Sequence, residues 1–340
     1  MKKPNIIGLD VGNGNIKLVW DGDDLVYYNT VTEVKNEKMN KTMSFSQFPT
    51  FGYKGKKYQI GFAGSYGSGG ISSNRYKTEE FKREALFAIA QVVKEKDEVI
   101  YLVTGVPAYH YDSDQIINDI KENLKGRHEL TVDEKKVSFI IEDVAVLSQA
   151  MAAMFSKCFK YDRKTKTVFQ TVNDEFLMKS LLFQDNGWGT TDFILINLSE
   201  GGVIKYDTIP LGMKEVTTNI ENWINQHKPE YRIKDFYESR YKLDSDLRNG
   251  YLDLGNKKVN LPQVLDKFYN EHANEIALRA RNMGFKMESY YRNIQTGGGA
   301  IPLYTAFSKV YEPTIVELMD NAQMANAEGY KIWGEQNYGK

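Results

Sequence analysis

The sequence predicts an α/β fold of two similar halves. Three observations carry the prediction: a strand-turn-strand motif near the start, a second copy of it midway, and helical periodicity after each copy. The first motif is Ile6-Ile7-Gly8-Leu9-Asp10-Val11-Gly12-Asn13-Gly14-Asn15-Ile16-Lys17-Leu18-Val19-Trp20. It reads as an apolar strand stopping at a carboxylate, a glycine-punctuated turn and a second strand. Gly12 and Gly14 permit φ > 0 and remove Cβ atoms that would block a ligand. The N–H groups of such a turn can cradle phosphate oxygens. Asp10 is then placed to hold a hydrated Mg²⁺ beside them.

Taken alone, D-x-G-x-G is weak, because chance yields it in about one chain in eight of this length and composition. The motif recurs, however, in Leu181-Leu182-Phe183-Gln184-Asp185-Asn186-Gly187-Trp188-Gly189-Thr190-Thr191-Asp192-Phe193-Ile194-Leu195-Ile196. One copy in each half predicts an internal duplication. Two such turns facing one cleft would grip a polyphosphate from both sides.

At 340 residues the chain is long enough for two domains. With 41% hydrophobic and 26% charged residues it is globular rather than disordered. The net charge of −1 gives no overall attraction to nucleic acid or an anionic membrane, so any action on DNA would pass through a partner. A single cysteine, Cys158, excludes an intramolecular disulfide, fits a reducing cytosol and reads as a buried small hydrophobe. The apolar run after Met1-Lys2-Lys3-Pro4 stops at Asp10, too early for a signal peptide. No stretch reaches membrane-spanning length. The expected location is therefore the cytoplasm. His110, His128, His227 and His272 are scattered and form no zinc-type ligand set.

In chain order, Leu25 to Tyr28 reads as a third strand, Val34 to Lys41 as a solvated loop and Gly52 to Gly61 as a hairpin. Ser65 to Ser73 reads as a Gly/Ser-rich connection, since no P-loop Lys-Ser/Thr follows its glycines. Thr78 to Lys94 is a helix capped by Thr78, with Phe81, Ala85, Leu86, Ile89, Val92 and Val93 on one stripe. Val99 to Thr104 is a buried strand, Asp114 to Leu124 a helix, and Asp133 to Lys136 the charged turn of another hairpin. Ser148 to Phe155 is a helix rich in Ala and Met. Lys160 to Ser180 is polar and irregular, the expected boundary. Beyond the second motif, Val203 to Tyr206 is a strand, and Val216 to His227 and Phe236 to Asn249 are helices. Leu261 to Tyr290 is amphipathic, one or two helices, and Ala322 to Trp333 is the last helix. The division expected is 1–170, with an insertion at about 25–62 and the final helix 322–340 packing back on it, and 171–321. Strands followed by helices in each half predict mixed sheets flanked by helices on both faces.

A third motif, Gly297-Gly298-Gly299-Ala300, lies between a short strand and a helix. It suits close approach to a ribose and an α-phosphate beside a helix N-terminus. With this motif in place, the chain resembles the actin, sugar-kinase and heat-shock-chaperone ATPase superfamily. Asp10 to Asn15 is similar to its first phosphate loop, Asp185 to Asp192 to its second, and Ile294 to Ala300 to its adenosine motif. Gln149, in Val146-Leu147-Ser148-Gln149-Ala150, lies where the first connecting helix carries a Glu or Gln near the attacking water. Ala325-Asn326-Ala327-Glu328-Gly329 is similar to the second connecting helix.

Within the superfamily the chain most resembles bacterial actin-like proteins of the ParM kind, which segregate plasmids. Asn15-Ile16-Lys17-Leu18, Val106-Pro107 followed by Tyr109 to Asp114, and Leu211-Gly212 ahead of a helix carry that likeness. It departs from ParM in having Gln149 for Glu, as eukaryotic actin does, and a longer 160–180 segment.

The resemblance implies an actin-like ATPase fold with a nucleotide cleft between two domains, and Mg²⁺-dependent hydrolysis of ATP or GTP there. Asp10 and Asp185 would hold the metal, mainly through water, and Gln149 would orient the attacking water. Gly12, Asn13, Gly14, Asn15, Lys17, Gly187, Trp188, Gly189 and Thr190 would bind phosphates. Gly297, Gly298, Gly299 and Ala300 would bind the nucleoside. The expected partners are other copies of the chain in a filament and a DNA-binding adaptor on a plasmid, with neither direct nucleic-acid binding nor a membrane. The alternatives are a non-polymerising phosphotransferase, a nucleotide switch, and a filament that binds nucleotide without hydrolysing it.

Overall fold

The structure, a computed structural model, describes residues 5–21, 23–34, 49–61, 73–237 and 239–339. The solvated loop and the Gly/Ser-rich connection expected from sequence lie, but for Val34 and Ser73, outside the described residues.

The first hairpin is β1 (Asn5–Val11) and β2 (Asn15–Val19), followed by β3 (Asp24–Glu33), β4 (Thr50–Tyr53) and β5 (Lys56–Gly61). Helix α1 (Glu79–Ala90) starts where Thr78 accepts a hydrogen bond from the Phe81 N–H at 3.2 Å, with Glu79 and Glu80 favouring the positive helix end. Then come β6 (Glu98–Val106), the single turn α2 (Ala108–Tyr111), α3 (Asp114–Leu124), β7 (Gly126–Val132) and β8 (Lys135–Ser148). The first sheet is mixed, with β1 parallel to β6 and β6 to β8. It closes on itself in the order β1-β2-β3-β5-β4-β7-β8-β6, because β4 pairs with β7.

Helix α1 touches β1, β2, β7 and β8 and is buried from Glu84 to Ala90. Phe87 stacks on Phe51 of β4 with ring centroids 4.6 Å apart, both fully buried, so the insertion hairpin shares the main core. Truncating Phe87 to Ala would cost about 3–5 kcal/mol.

Helix α4 (Gln149–Cys158) leads to β9 (Phe159–Asp162), β10 (Thr167–Gln170) and α5 (Asp174–Leu177). The segment expected to be irregular is thus a small antiparallel hairpin and a helical turn. Its polar composition reflects exposure rather than missing structure. Cys158 is buried, and burial pushes its thiol up to about 12, as suits an inert core residue.

The second hairpin is β11 (Leu181–Asn186) and β12 (Thr191–Asn197), followed by β13 (Gly202–Ile209), α6 (Met213–His227) and α7 (Arg240–Arg248). After the short β14 (Tyr251–Asp253) and β15 (Lys258–Asn260), the long amphipathic stretch forms one helix, α8 (Pro262–Asn282), which Pro262 starts and Gly284, at φ +84°, follows. Then come β16 (Arg292–Thr296), α9 (Ala300–Val310), β17 (Val316–Leu318) and α10 (Ala325–Tyr338). The second sheet runs β13-β12-β11-β16-β17, with the last two pairings parallel.

Its central strands are buried on both faces, as their unbroken apolar runs require. Side chains alternate with period two. Leu182, Phe193 and Leu195 face α6, α8 and α9, while Leu181, Phe183, Ile194 and Ile196 face α4 and α10. Helices therefore cover both faces, as the order of elements predicted.

Helices α4 and α10 cross closely between the two sheets. Gly329 lies against the Ala152 backbone and Gly8 against that of Ala327, so that α10 also packs on β1. No described helix is long and apolar enough to cross a membrane.

Candidate functional site

In the first hairpin Asp10 pairs in register with Lys17, and Lys17 Nζ lies 2.7 Å from Asp10 Oδ2. Both residues are buried, and the pull of Asp10 and Asp185 holds the Lys17 ammonium above its usual range despite burial. Gln149, the first residue of α4, donates from Nε2 to Asp10 Oδ1 at 3.2 Å.

The intervening turn has its carbonyls taken. Asn29 donates from Nδ2 to the Gly12 carbonyl and from its backbone N–H to that of Gly14, at 2.7 and 2.9 Å. The Tyr241 hydroxyl donates to the Asn13 carbonyl at 2.7 Å. With the Gly12 and Asn13 carbonyls held from outside, the N–H groups of the following residues, Asn13 and Gly14, point the other way and are left for an anion. Neither glycine has φ > 0, contrary to expectation. Their role is steric: a Cβ at Gly14 would lie 2.8 Å from Trp188 Cβ, and one at Gly12 2.7 Å from the Asn15 carbonyl oxygen.

The second turn repeats the arrangement with other donors. The carbonyls of Gly187 and Trp188 accept the first N–H groups of α6, from Met213 and Lys214, at 3.1 and 2.9 Å. Trp188 and Gly189 N–H groups are thereby left toward the cleft. Asp185 pairs in register with Asp192, as Asp10 does with Lys17. The duplication thus has opposite charges at one position. Asp192 accepts from the Ala108 N–H and Thr190 Oγ1, each at 3.0 Å, and from Thr208 Oγ1. Burial, with the Asp185 charge second, pushes its carboxyl up to about 7. Asp185 accepts from Asn326 Nδ2 at 2.7 Å, and burial raises its carboxyl too. Neither aspartate ends its strand, as the sequence suggested. Asp10 lies within β1 and Asp185 within β11, one residue before the end.

The third motif meets the second. Gly297, at φ +84°, presses its Cα face against Asp185, where any Cβ would collide with Oδ1. The Gly299 N–H donates to the Asn186 carbonyl at 2.8 Å, and the Arg248 guanidinium donates to the Gly298 carbonyl.

All the residues expected to bind or act line one cleft of about 830 Å³, open mouth included, except Gly297 and Ala300. Gly297 sits behind Asp185, and Ala300 is fully buried at the start of α9. The cleft is narrow, since the two turns touch at Gly14 and Trp188.

The donor set fits a hydrated Mg²⁺. Asp10 and Asp185 both act on the single Lys17 ammonium, so two carboxylates share one close cation. Asn326 Oδ1 is buried without a hydrogen-bond partner beside Asp185, an acceptor suited to a metal-bound water. Among the described residues no group of three or more His, Cys, Asp or Glu side chains comes together.

Sequence reasoning missed Arg75 and Arg248, and quoted Asp192 and Asn326 within motifs without giving either a role; all four also line the cleft. Asp192 was within reach, because it stands seven residues after Asp185 as Lys17 does after Asp10. Arg75 donates to Asn13 Oδ1 and Glu84 Oε2, both at 2.9 Å, from a short helical turn that no motif marks.

A doubled Asp-x-Gly-x-Gly cleft between two helix-flanked mixed sheets, crossed by two connecting helices, defines an actin-like fold. Comparison agrees: residues 8–151 match the family described as actin like proteins, N terminal domain. No curated protein is matched by the sequence. Among solved structures the chain is similar to Ta0583, an archaeal actin homolog, with TM-score 0.75 and 19% identity over 98% of this chain and 100% of that one. The complex of Ta0583 with ADP gives TM-score 0.73 and 19% identity, over 98% and 100%. A 15-stranded ParM filament from Clostridium botulinum gives 0.74 and 20% identity, over 98% and 99%.

Proposed function

We propose that this protein is a cytoplasmic, filament-forming ATPase that hydrolyses ATP, or GTP in its place, with Mg²⁺, and that its filaments segregate plasmid DNA through a DNA-binding adaptor. The observation that carries the reading is the pair of glycine turns facing each other across one cleft with their carbonyls occupied, beside Asp10, Asp185 and Lys17. That arrangement suits the β- and γ-phosphates of a nucleotide. The ADP bound by Ta0583 and the filament formed by the Clostridium botulinum ParM support extending it to this chain.

Asp10, Asp185 and the Asn326 carbonyl would hold the hydrated metal, whose positive charge offsets that developing on the phosphates. The amides of the two turns would orient the phosphates and stabilise charge. Lys17, paired with Asp10, would neutralise part of it. Gln149, anchored to Asp10 through Nε2, has its side-chain oxygen left to align the attacking water. An amide is a poor proton acceptor, so turnover is slow in the monomer. Gly298 and Gly299 would let the nucleoside approach the backbone, with Arg248 alongside.

The test is light scattering with Mg²⁺ and ATP, GTP or a non-hydrolysable analogue, followed by negative-stain microscopy and phosphate release. Nucleotide should drive concentration-dependent polymer that decays after phosphate release. Gln149→Ala should hydrolyse more slowly and form longer-lived filaments. Protein that stays monomeric at tens of micromolar (roughly where partly exposed interfaces begin to associate) with both ATP and the analogue would replace this reading by a soluble phosphotransferase or switch.

A further inference from the structure

The first turn is held from the opposite half of the molecule. Tyr241, in α7, is buried, and its hydroxyl reaches the Asn13 carbonyl at 2.7 Å across 228 residues of sequence. Its ring lies 4.9 Å from that of Trp188 in the second turn and 5.8 Å from that of Tyr28 in β3, centroid to centroid. Burial pushes the phenol up to about 12, so the hydroxyl keeps its proton at neutral pH.

A peptide unit is planar and trans, so its carbonyl and the next N–H point in opposite directions. Holding the Asn13 carbonyl outward therefore turns the Gly14 N–H inward. The flanking carbonyls of Gly12 and Gly14 are held by Asn29, from the turn's own half. The Asn13–Gly14 peptide alone depends on the far side of the cleft.

We propose that Tyr241 is a positioning residue that presets the first phosphate turn only while the two halves are closed, so that release of a polyphosphate begins when Tyr241 parts from Asn13. This deepens the nucleotide reading of the cleft and rests on it. Opening breaks the hydroxyl bond and the Tyr28 contact together, while Tyr241 and Trp188 move as parts of the same half. The freed peptide can then rotate, and one phosphate donor is lost. Trp188 serves as the platform that fixes the Tyr241 ring, which accounts for a bulky side chain in a turn otherwise built of small residues.

Tyr241→Phe keeps the ring and removes only the hydroxyl. Mg²⁺-ADP, a non-hydrolysable ATP analogue and plain adenosine are the probes, with calorimetric affinity and stopped-flow release as readouts. The variant should bind ADP and the analogue about 5-fold more weakly, the scale of one hydrogen bond, and release them correspondingly faster. Adenosine affinity should stay at its wild-type value, and the melting temperature of the ligand-free protein should fall only slightly, as the loss of one hydrogen bond requires. Tyr241→Ala, which also loses the Trp188 contact, should release ADP faster still. Unchanged ADP release from Tyr241→Phe would overturn the proposal, and so would equal weakening of ADP and adenosine. A wild-type protein that binds no Mg²⁺-ADP at all would remove the nucleotide reading, and this proposal with it. That failure is distinct from a nucleotide-binding wild type that the hydroxyl leaves unaffected.

Discussion

Asn326 donates its side-chain amide to Asp185 Oδ2 at 2.7 Å, joining the first turn of α10 to the end of β11. Because α10 also packs on β1 and α4, this bond ties the second carboxylate to the elements that carry the first. Removing one partner of a buried hydrogen bond costs about 1–3 kcal/mol. Asn326→Ala should lose stability on that scale in denaturant titrations and should weaken Mg²⁺-dependent nucleotide binding. Asn326→Asp should bind less metal-free nucleotide still, since it adds a buried charge beside Asp185.

The two equivalent aspartates should respond differently to substitution. Asp10 compensates the buried Lys17, so Asp10→Ala leaves an ammonium unpaired and should cost about 3 kcal/mol. It should not leave the fold untouched. Asp185 carries a carboxyl raised by burial, so Asp185→Asn in ligand-free protein should be close to neutral. Both should abolish hydrolysis. Equal melting shifts for Asp10→Ala and Asp185→Asn would show that the Lys17 pair contributes nothing.

Gly297 and Gly298 separate a backbone demand from a ligand demand. Gly297→Ala places a Cβ against Asp185 at a positive φ and should destabilise the protein by more than about 1 kcal/mol. Gly298 has φ < 0, and a Cβ there would come no nearer than 3.7 Å to protein atoms. Gly298→Val should therefore fold and melt normally while losing nucleotide affinity. Calorimetry showing wild-type affinity in folded Gly298→Val would leave the third motif as an ordinary turn.

Asp192 should make stability pH-dependent with a definite sign. Its folded value, about 7, lies above the ordinary 3.8, so between the two the folded chain holds a proton that the unfolded chain releases. That contribution is fully present below about pH 4 and is lost as pH rises through 7. His272, held down to about 4 by burial, supplies the opposite slope, so the wild-type curve alone does not isolate either group. Subtracting it from that of Asp192→Asn does. The difference should shift in favour of the variant, by at most about 1.4 kcal/mol per pH unit, from pH 4 to 7 and then level off. Unfolding in Mg²⁺- and nucleotide-free buffer measures it, and a flat difference would place the Asp192 carboxyl in its ordinary range.

Contiguous residues encode the local features of this fold. Strand-turn-strand units, helix caps such as Thr78 and apolar stripes are local, and alternation along β11 and β12 reports two covered faces. The duplication then placed Asp10, Asp185 and both turns at one cleft, and the Ala- and Met-rich run from Ser148 set Gln149 at the start of a helix. Tertiary structure alone decided the rest, because the partners are remote. Asn326 reaches Asp185 across 141 residues, Tyr241 reaches Asn13 across 228, and Ala108 reaches Asp192 across 84. Closure of the first sheet depends on β4 meeting β7, which neither strand's pattern specifies. The glycines of the turns show the same division. Sequence marked where they stand, but only the approach of Trp188 to Gly14 shows that they are small to let two halves touch, rather than to bend one chain.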